Sequence, residues 1–190
     1  MFYFGRLFPL CFCTSLFAAD LEIRYSALER MVADQMFTQE GKRWVKGDGK
    51  TRCQFAYLES PRFGADAARL RVTAKFSGRS ALDMFGTCIG MADSFDLTLT
   101  ATPVAKNGSI ALQDVRITTV KDSYYIRRVR AALALGFQKD FRIEVKDQAR
   151  KLLEQPSQKY SQQLSAFQLE DVRVSNDALV LVVDFKLVVK

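Results

Sequence analysis

The carboxyl-terminal stretch places Leu179, Leu181, Val183, Phe185, Leu187 and Val189 at strict two-residue spacing. In extended chain every second side chain points the same way, so this segment is one long strand with one apolar face. Such a face must be covered, and a chain that carries several of them is committed to a sheet with a core on one side. The pattern recurs. Leu70, Val72, Ala74 and Phe76 alternate with Arg69, Arg71, Thr73 and Lys75, and Phe95, Leu97, Leu99 and Ala101 follow at the same period. Asn107-Gly108 is a strong hairpin signal, and the returning strand carries Ile110 and Leu112, then Val115 and Ile117. That slip of one residue at Gln113-Asp114 predicts a bulge. Cys53, Phe55 and Tyr57 open another strand, which Pro61 and Gly64 are expected to interrupt. Ser80 to Asp93 reads as a glycine-containing connection carrying Cys88.

Three segments have helical rather than strand periodicity. Asp20 to Tyr25 is a short strand running directly into a helix, with Ser26 and Glu29 spaced as a capping box. Leu28, Met31, Val32 and Met36 form its buried face, and Gly41 is expected to end it. Ser123 caps a second helix, with Ile126, Val129, Ala132 and Leu133 on one face and Gly136 at its carboxyl end. After a short strand at Phe141, Ile143 and Val145, a third helix runs from Lys146 to Gln155, stopped by Pro156. Few helices among clear strands predict an α+β fold. The expected architecture is a single domain over 20–190: a long, curved antiparallel sheet wrapped around one or two main helices, with Ser123 to Leu135 central. A lipocalin-type closed barrel is disfavoured, because helices interrupt the strands too evenly.

The amino terminus carries one charge, Arg6, before an apolar run from Leu7 to Ala19 that ends in small residues. About a dozen apolar residues is the length of a signal-peptide core rather than of a bilayer span. Residues 1–19 are therefore expected to be a signal peptide cleaved near Ala18 or Ala19; an uncleaved amino-terminal anchor is the alternative. The expected destination is the periplasm, or the extracellular space. Cleavage removes Cys11 and Cys13 and leaves Cys53 and Cys88. In an exported chain the simplest state for them is one disulfide, against the alternative of two buried thiols.

Composition narrows the function more by exclusion than by motif. There is no histidine in 190 residues, so every nucleophile or metal site built on imidazole is ruled out. Neither a phosphate-binding glycine loop nor a Gly-x-Ser-x-Gly elbow is present. Adjacent carboxylates such as Glu170 and Asp171 point to opposite faces of a strand. A carboxylate pair assembled from distant residues stays open, but the chain is expected to be no enzyme and to need no cofactor. The net charge of +7 is scattered, which argues against nucleic acid. Its one dense group is Arg127, Arg128 and Arg130, either a solvated helix face or a contact for an anionic surface.

The chain also echoes itself. Asp20 to Tyr25 with the helix after it resembles Asp140 to Val145 with its own helix. Leu112-Gln-Asp-Val-Arg-Ile117 likewise resembles Leu169-Glu-Asp-Val-Arg-Val174, phase slip included. Either a strand–helix unit is used twice, or common β patterns coincide.

The order of elements resembles the tubular lipid-binding superfamily, which includes the bactericidal/permeability-increasing-type proteins. The small, exported bacterial YceB-like type is the most similar. The likeness is carried by the strand–helix Leu21 to Phe37 and by Thr98-Leu-Thr-Ala-Thr-Pro103 with its hairpin into Leu112-Gln-Asp-Val-Arg116. The closing segment Phe167-Gln-Leu-Glu-Asp-Val-Arg-Val-Ser-Asn-Asp-Ala-Leu-Val-Leu181 completes it. The resemblance implies binding or carriage of a lipid or other elongated apolar ligand in a groove. The alternative is an envelope adaptor with a filled core and no small-molecule ligand.

Pairing the longest apolar strand faces with the most apolar helix gives the expected ligand-contacting residues. These are Val129, Leu133 and Phe137 on the helix, and Leu97, Leu99, Leu181, Val183 and Phe185 on strands. Arg127, Arg128 and Arg130 are the candidates for headgroup contacts, and a membrane surface or an envelope protein is a further candidate partner.

Overall fold

A computed structural model describes residues 19–154 and 161–189. Most of the expected signal peptide and the Pro156 stop lie outside the described residues. The chain runs β1 (Ala19–Arg24), α1 (Tyr25–Met36), β2 (Lys42–Lys46), β3 (Gln54–Asp66), β4 (Arg69–Met84), β5 (Thr87–Lys106) and β6 (Ser109–Thr119). It continues through α2 (Tyr124–Asp140), β7 (Ile143–Glu144), α3 (Val145–Leu153), β8 (Gln162–Val174) and β9 (Ala178–Val189). The fold is α+β, as expected. A strongly curled six-stranded antiparallel sheet, ordered β2-β3-β4-β5-β6-β7, wraps around the helices. The expected single sheet is in fact two, because β1, β9 and β8 form a separate three-stranded sheet in that order.

Alternation explains the core. Leu70, Ala74 and Phe76 of β4 and Phe95, Leu97, Leu99 and Ala101 of β5 face inward. They meet Leu28, Val32 and Met36 of α1, and Ile126 and Leu133 of α2. The polar partners in between, such as Arg71, Thr73 and Lys75 opposite Thr100, Thr98 and Asp96, occupy the convex side. The bulge expected at Gln113-Asp114 is present. The β5–β6 register shifts between Thr100 and Thr102, and Asp114 takes a left-handed φ of 49°. The Arg69 guanidinium reaches across from β4 to donate to the carbonyls of Thr100 and Asp114, fixing the bulge from a third strand.

Several expectations are corrected. Helix α1 starts at Tyr25, so Ser26 lies inside the first turn and forms no cap. Because β1 pairs with β9 as far as Arg24↔Ala178, Tyr25 stands beside the β8–β9 turn. There its N–H donates to Asp177 O at 3.1 Å and its hydroxyl to Ser175 O at 2.6 Å. Glu29 faces β3 instead, accepting from Phe63 N at 3.0 Å and pairing with Arg62 at 3.1 Å. Tertiary partners thus take over from the local capping box. The helix ends at Met36, ahead of Gly41, which serves instead in a tight turn closed by Lys42 N to Gln39 O. Pro61 does not end its strand. It sits in a bulge between Glu59 and Arg62, where no ladder N–H is demanded of it.

Gly136 does not end α2 either. Ser123 Oγ accepts from Ile126 N as expected, but the helix continues to Asp140. Phe137 packs against the core with its ring 6.3 Å from that of Phe141, which offsets the ~1 kcal/mol that an interior glycine costs. Helix α3 begins at Val145 and ends at Leu153. On β9 the apolar face is buried as far as Val183, the partner of Ala19 at the start of the described chain; among the described residues Phe185 and Val189 are exposed.

The largest correction concerns Ser80 to Asp93. It is no loop: β4 and β5 stay paired out to Met84↔Thr87 around a two-residue turn, Phe85-Gly86. Cys53 and Cys88 are disulfide-bonded with Cα atoms 5.3 Å apart, within the normal range, and Ala81 N donates to Cys53 O. Together these tie the start of β3 to the hairpin. A disulfide suits an extracellular or periplasmic setting, and among the described residues no helix is long and apolar enough to cross a membrane. Replacing both cysteines with serine should lower the unfolding free energy by ~3–4 kcal/mol, the chain-entropy value for a loop of this length. Urea denaturation of the oxidised protein and of the double variant measures it.

Candidate functional site

Helix α2 presents one stripe to the strands beside it: Tyr125, Val129, Ala132, Leu133, Gly136 and Phe137, ending at Asp140. These positions recur at three and four residues, so they share one side of the helix. Two adjoining cavities follow this stripe. One, of about 370 Å³, lies between Tyr125, Val129, Ala132 and Leu133 and a wall of Val45, Phe55, Ala56 and Phe76, with Lys46, Arg79 and Ser80 at its margin. The other, of about 140 Å³, continues past Ala132, Leu133, Gly136 and Phe137, against Arg43, Trp44, Val45 and Leu58. Both share Val45, Ala132 and Leu133 in their walls. The result is a lengthwise groove along α2, about 22 Å long at a rise of about 1.5 Å per residue.

Gly78 lets Phe76 and Tyr125 pack closely over β4 beside the groove: a Cβ there would stand 2.7 Å from the Phe76 ring and 3.3 Å from the Tyr125 hydroxyl. Burial, and behind it the Asp93 carboxylate, push the Tyr125 hydroxyl above the ordinary tyrosine pKa. Asp93 is itself held below the usual carboxylate range by its hydrogen bond from Lys121, 3.0 Å long. Trp44 and Phe55 each pack against Tyr57, with ring centroids 5.0 and 5.9 Å away. Lys42 and Arg79 lie over the Tyr57 and Phe55 rings. These rings and cations stack on the convex side of the sheet, the face opposite Leu58 and Phe76, and so flank the groove from behind. The larger part of the groove is mainly apolar, whereas the smaller part is mixed, with Arg43 and Asp140 among its lining residues.

The structure divides the expected ligand-contacting residues into three groups. Val129, Leu133 and Phe137 line the groove. Leu97 and Leu99 meet Phe137 in the core beneath it, where the remaining cavity is about 20 Å³, room for a single water and no more. Leu181 and Val183 lie in the three-stranded sheet, buried, and Phe185 is 38% exposed; none of the three borders the groove. Arg127, Arg128 and Arg130 stand on the first turns of α2. Arg127 and Arg130 pair with Asp122 at 3.1 and 3.3 Å, and Arg128 lies over the Tyr124 ring.

Sequence reasoning did not find Val45, Phe55, Phe76 or Tyr125. Tyr125 was within reach, because it lies four residues before Val129 on the same stripe. The others belong to strands whose position beside α2 depends on how far the sheet curls. Comparison with protein-family models, with curated proteins and with solved structures finds no match.

At 2% exposure Val183 is core rather than channel wall. Val183→Asp is expected to unfold the protein, since an unpaired buried carboxylate costs several kcal/mol. Loss of the far-ultraviolet circular dichroism transition would show it. A folded variant would place solvent behind β9.

Proposed function

We propose that this protein is exported and binds or carries a lipid or another elongated apolar molecule in the cell envelope, without catalysing a reaction. The groove along α2 carries the reading. Its larger part falls in the size range of small-molecule sites, about 300–1,000 Å³, most of its lining is apolar, and Arg43 and Lys46 stand where an anionic headgroup would meet solvent. The likeness to tubular lipid-binding proteins supports the same class of ligand. Under this reading residues 1–19 are a signal peptide. Mass spectrometry of the protein from its own host is expected to show loss of the first 18 or 19 residues and one disulfide.

A second reading has an observation of its own. The core is closed and apolar side chains are exposed elsewhere, which also suits an envelope adaptor with no small-molecule ligand.

Ala132 separates the two. It is exposed and lines both parts of the groove, so Ala132→Trp should fill the groove and leave the fold intact. Native mass spectrometry with lipid extraction is expected to find an apolar ligand in the wild type. The variant should carry roughly tenfold less, the effect of about 1.4 kcal/mol. Equal and empty spectra for both proteins would favour the adaptor.

A further inference from the structure

The groove does not exhaust the apolar surface. Leu82 and Met84 of β4 lie on the strand face that carries Phe76, Gly78 and Ser80, and across the ladder Ile89 pairs with Leu82 and Met91 with Ser80. The four are 48–67% exposed, and Phe85, at the turn, is 103% exposed. The inward face of the sheet thus runs out past the groove into solvent, among the described residues, as an uncovered apolar tip.

Two further features set this tip apart from an ordinary loop. Phe85 holds a φ of 52° and Gly86 a φ of 82°, the type I′ arrangement in which Asn, Asp or Gly is the favoured first residue. A bulky aromatic side chain there is strained, and it gains no burial in return. The hairpin is also anchored, by the Cys53–Cys88 disulfide and by Arg52 donating to Gly86 O at 3.3 Å. Arg52 therefore stands at the turn itself. Arg79 lies at the hairpin base on the strand face opposite the apolar one, and exposed Arg127, paired with Asp122, and Arg128 stand on the adjacent end of α2. That end reaches the base through Lys121, paired with Asp93 opposite Gly78. The carboxylate nearest the tip, Asp83, is on the opposite strand face and accepts from Gly86 N.

We propose that this hairpin tip is a membrane-docking element for an anionic phospholipid surface. Phe85 and its four apolar neighbours enter the acyl region, and Arg52 with the arginines behind it meets the phosphates. A bilayer fits better than a protein partner: the tip offers five apolar side chains on a two-stranded ribbon, against the roughly 20–30 residues a side of a stable protein interface. The proposal does not depend on the groove being occupied. Ser80, at the base of the hairpin, borders the groove, so a docked tip would turn the groove's mouth toward the membrane.

Vesicle flotation tests it, with protein from its own host on phosphatidylcholine vesicles with and without about 30 mol% phosphatidylglycerol. Phe85→Asn gives the turn a residue it prefers, so its urea midpoint should equal or exceed that of the wild type. The wild type is expected to float at least roughly tenfold more with the anionic vesicles than with neutral ones, and Phe85→Asn to lose most of that binding. Arg52→Gln should weaken it mainly at low salt. Ala132→Trp should bind vesicles as the wild type does, which separates this proposal from the groove reading. Vesicle binding unchanged in Phe85→Asn would overturn it, as would no binding by the wild type. So would a concentration-dependent dimer in sedimentation that Phe85→Asn abolishes while flotation stays absent, because the tip would then belong to a second copy.

Discussion

One face of the β4–β5 ladder carries the molecule. Its inward positions run from Leu70 and Ala101 at one end to Met84 and Thr87 at the other without a change of side, because nothing interrupts the two-residue period. Three environments meet that face in turn. Near Leu70 and Leu99 it is sealed by helices, where burial at roughly 25 cal/mol per Å² supplies the stability of the core. At Phe76 and Ser80 the cover is partial and a groove remains. Beyond Ser80 the described structure places nothing over it. What differs along the ladder is what covers it. The face is apolar at both ends and is broken only at Gly78, Asp93, Ser80 and Thr87, so the functional readings follow largely from the position of α2.

The chain closes on itself through two similar strand–helix entries. Strand β1 leads directly into α1 and pairs with the last strand, β9, and β7 leads directly into α3 and pairs with β6. In both cases the first helical residue, Tyr25 or Val145, is buried, and in both the paired strand follows a hairpin turn. Each strand–helix entry is therefore held by the closing strand of the other half. The echo between Asp20–Tyr25 and Asp140–Val145 has this structural counterpart. The second echo does not map so simply. Leu112-Gln-Asp-Val-Arg116 lies on β6, the second strand of its hairpin, whereas Leu169-Glu-Asp-Val-Arg173 lies on β8, the first of its own, although a bulge falls at each.

Much of this was legible wherever one local rule decided the outcome. Alternation gave the faces of β4 and β5, Asn107-Gly108 gave the hairpin, and the phase slip gave the bulge at Asp114. The α2 stripe gave Val129, Leu133 and Phe137. Reading failed where a distant partner overrode a local signal. Ser26 lost its capping role because the carbonyls of Ser175 and Asp177 reach Tyr25 first. Gly136 was carried through by Phe137 packing on the core. Leu181 and Val183 look no different from Leu97 and Leu99 in sequence, and only topology assigns them to another sheet. Ser80 to Asp93 was misread for a different reason. Its glycines are a loop signal, whereas Leu82, Met84, Ile89 and Met91 keep the two-residue period of the ladder.

The paired hairpin bears on mechanism. A flexible loop presenting Phe85 would have to be ordered on docking, at about 0.5–1.5 kcal/mol for each rotamer-rich side chain immobilised and more for the backbone. The hairpin has already met the backbone part of that cost. Its ladder is paired to Met84↔Thr87, the disulfide holds Cys88 to the start of β3, and Arg52 and Asp83 fix the two polar groups of Gly86. Rigidity also fixes direction. Because Leu82 and Met84 share their strand face with Phe76, a tip seated in a bilayer through those side chains determines how the groove behind it faces the surface. A hinge between tip and groove would remove that relation; the unbroken pairing from Phe76↔Phe95 to Met84↔Thr87 leaves no place for one.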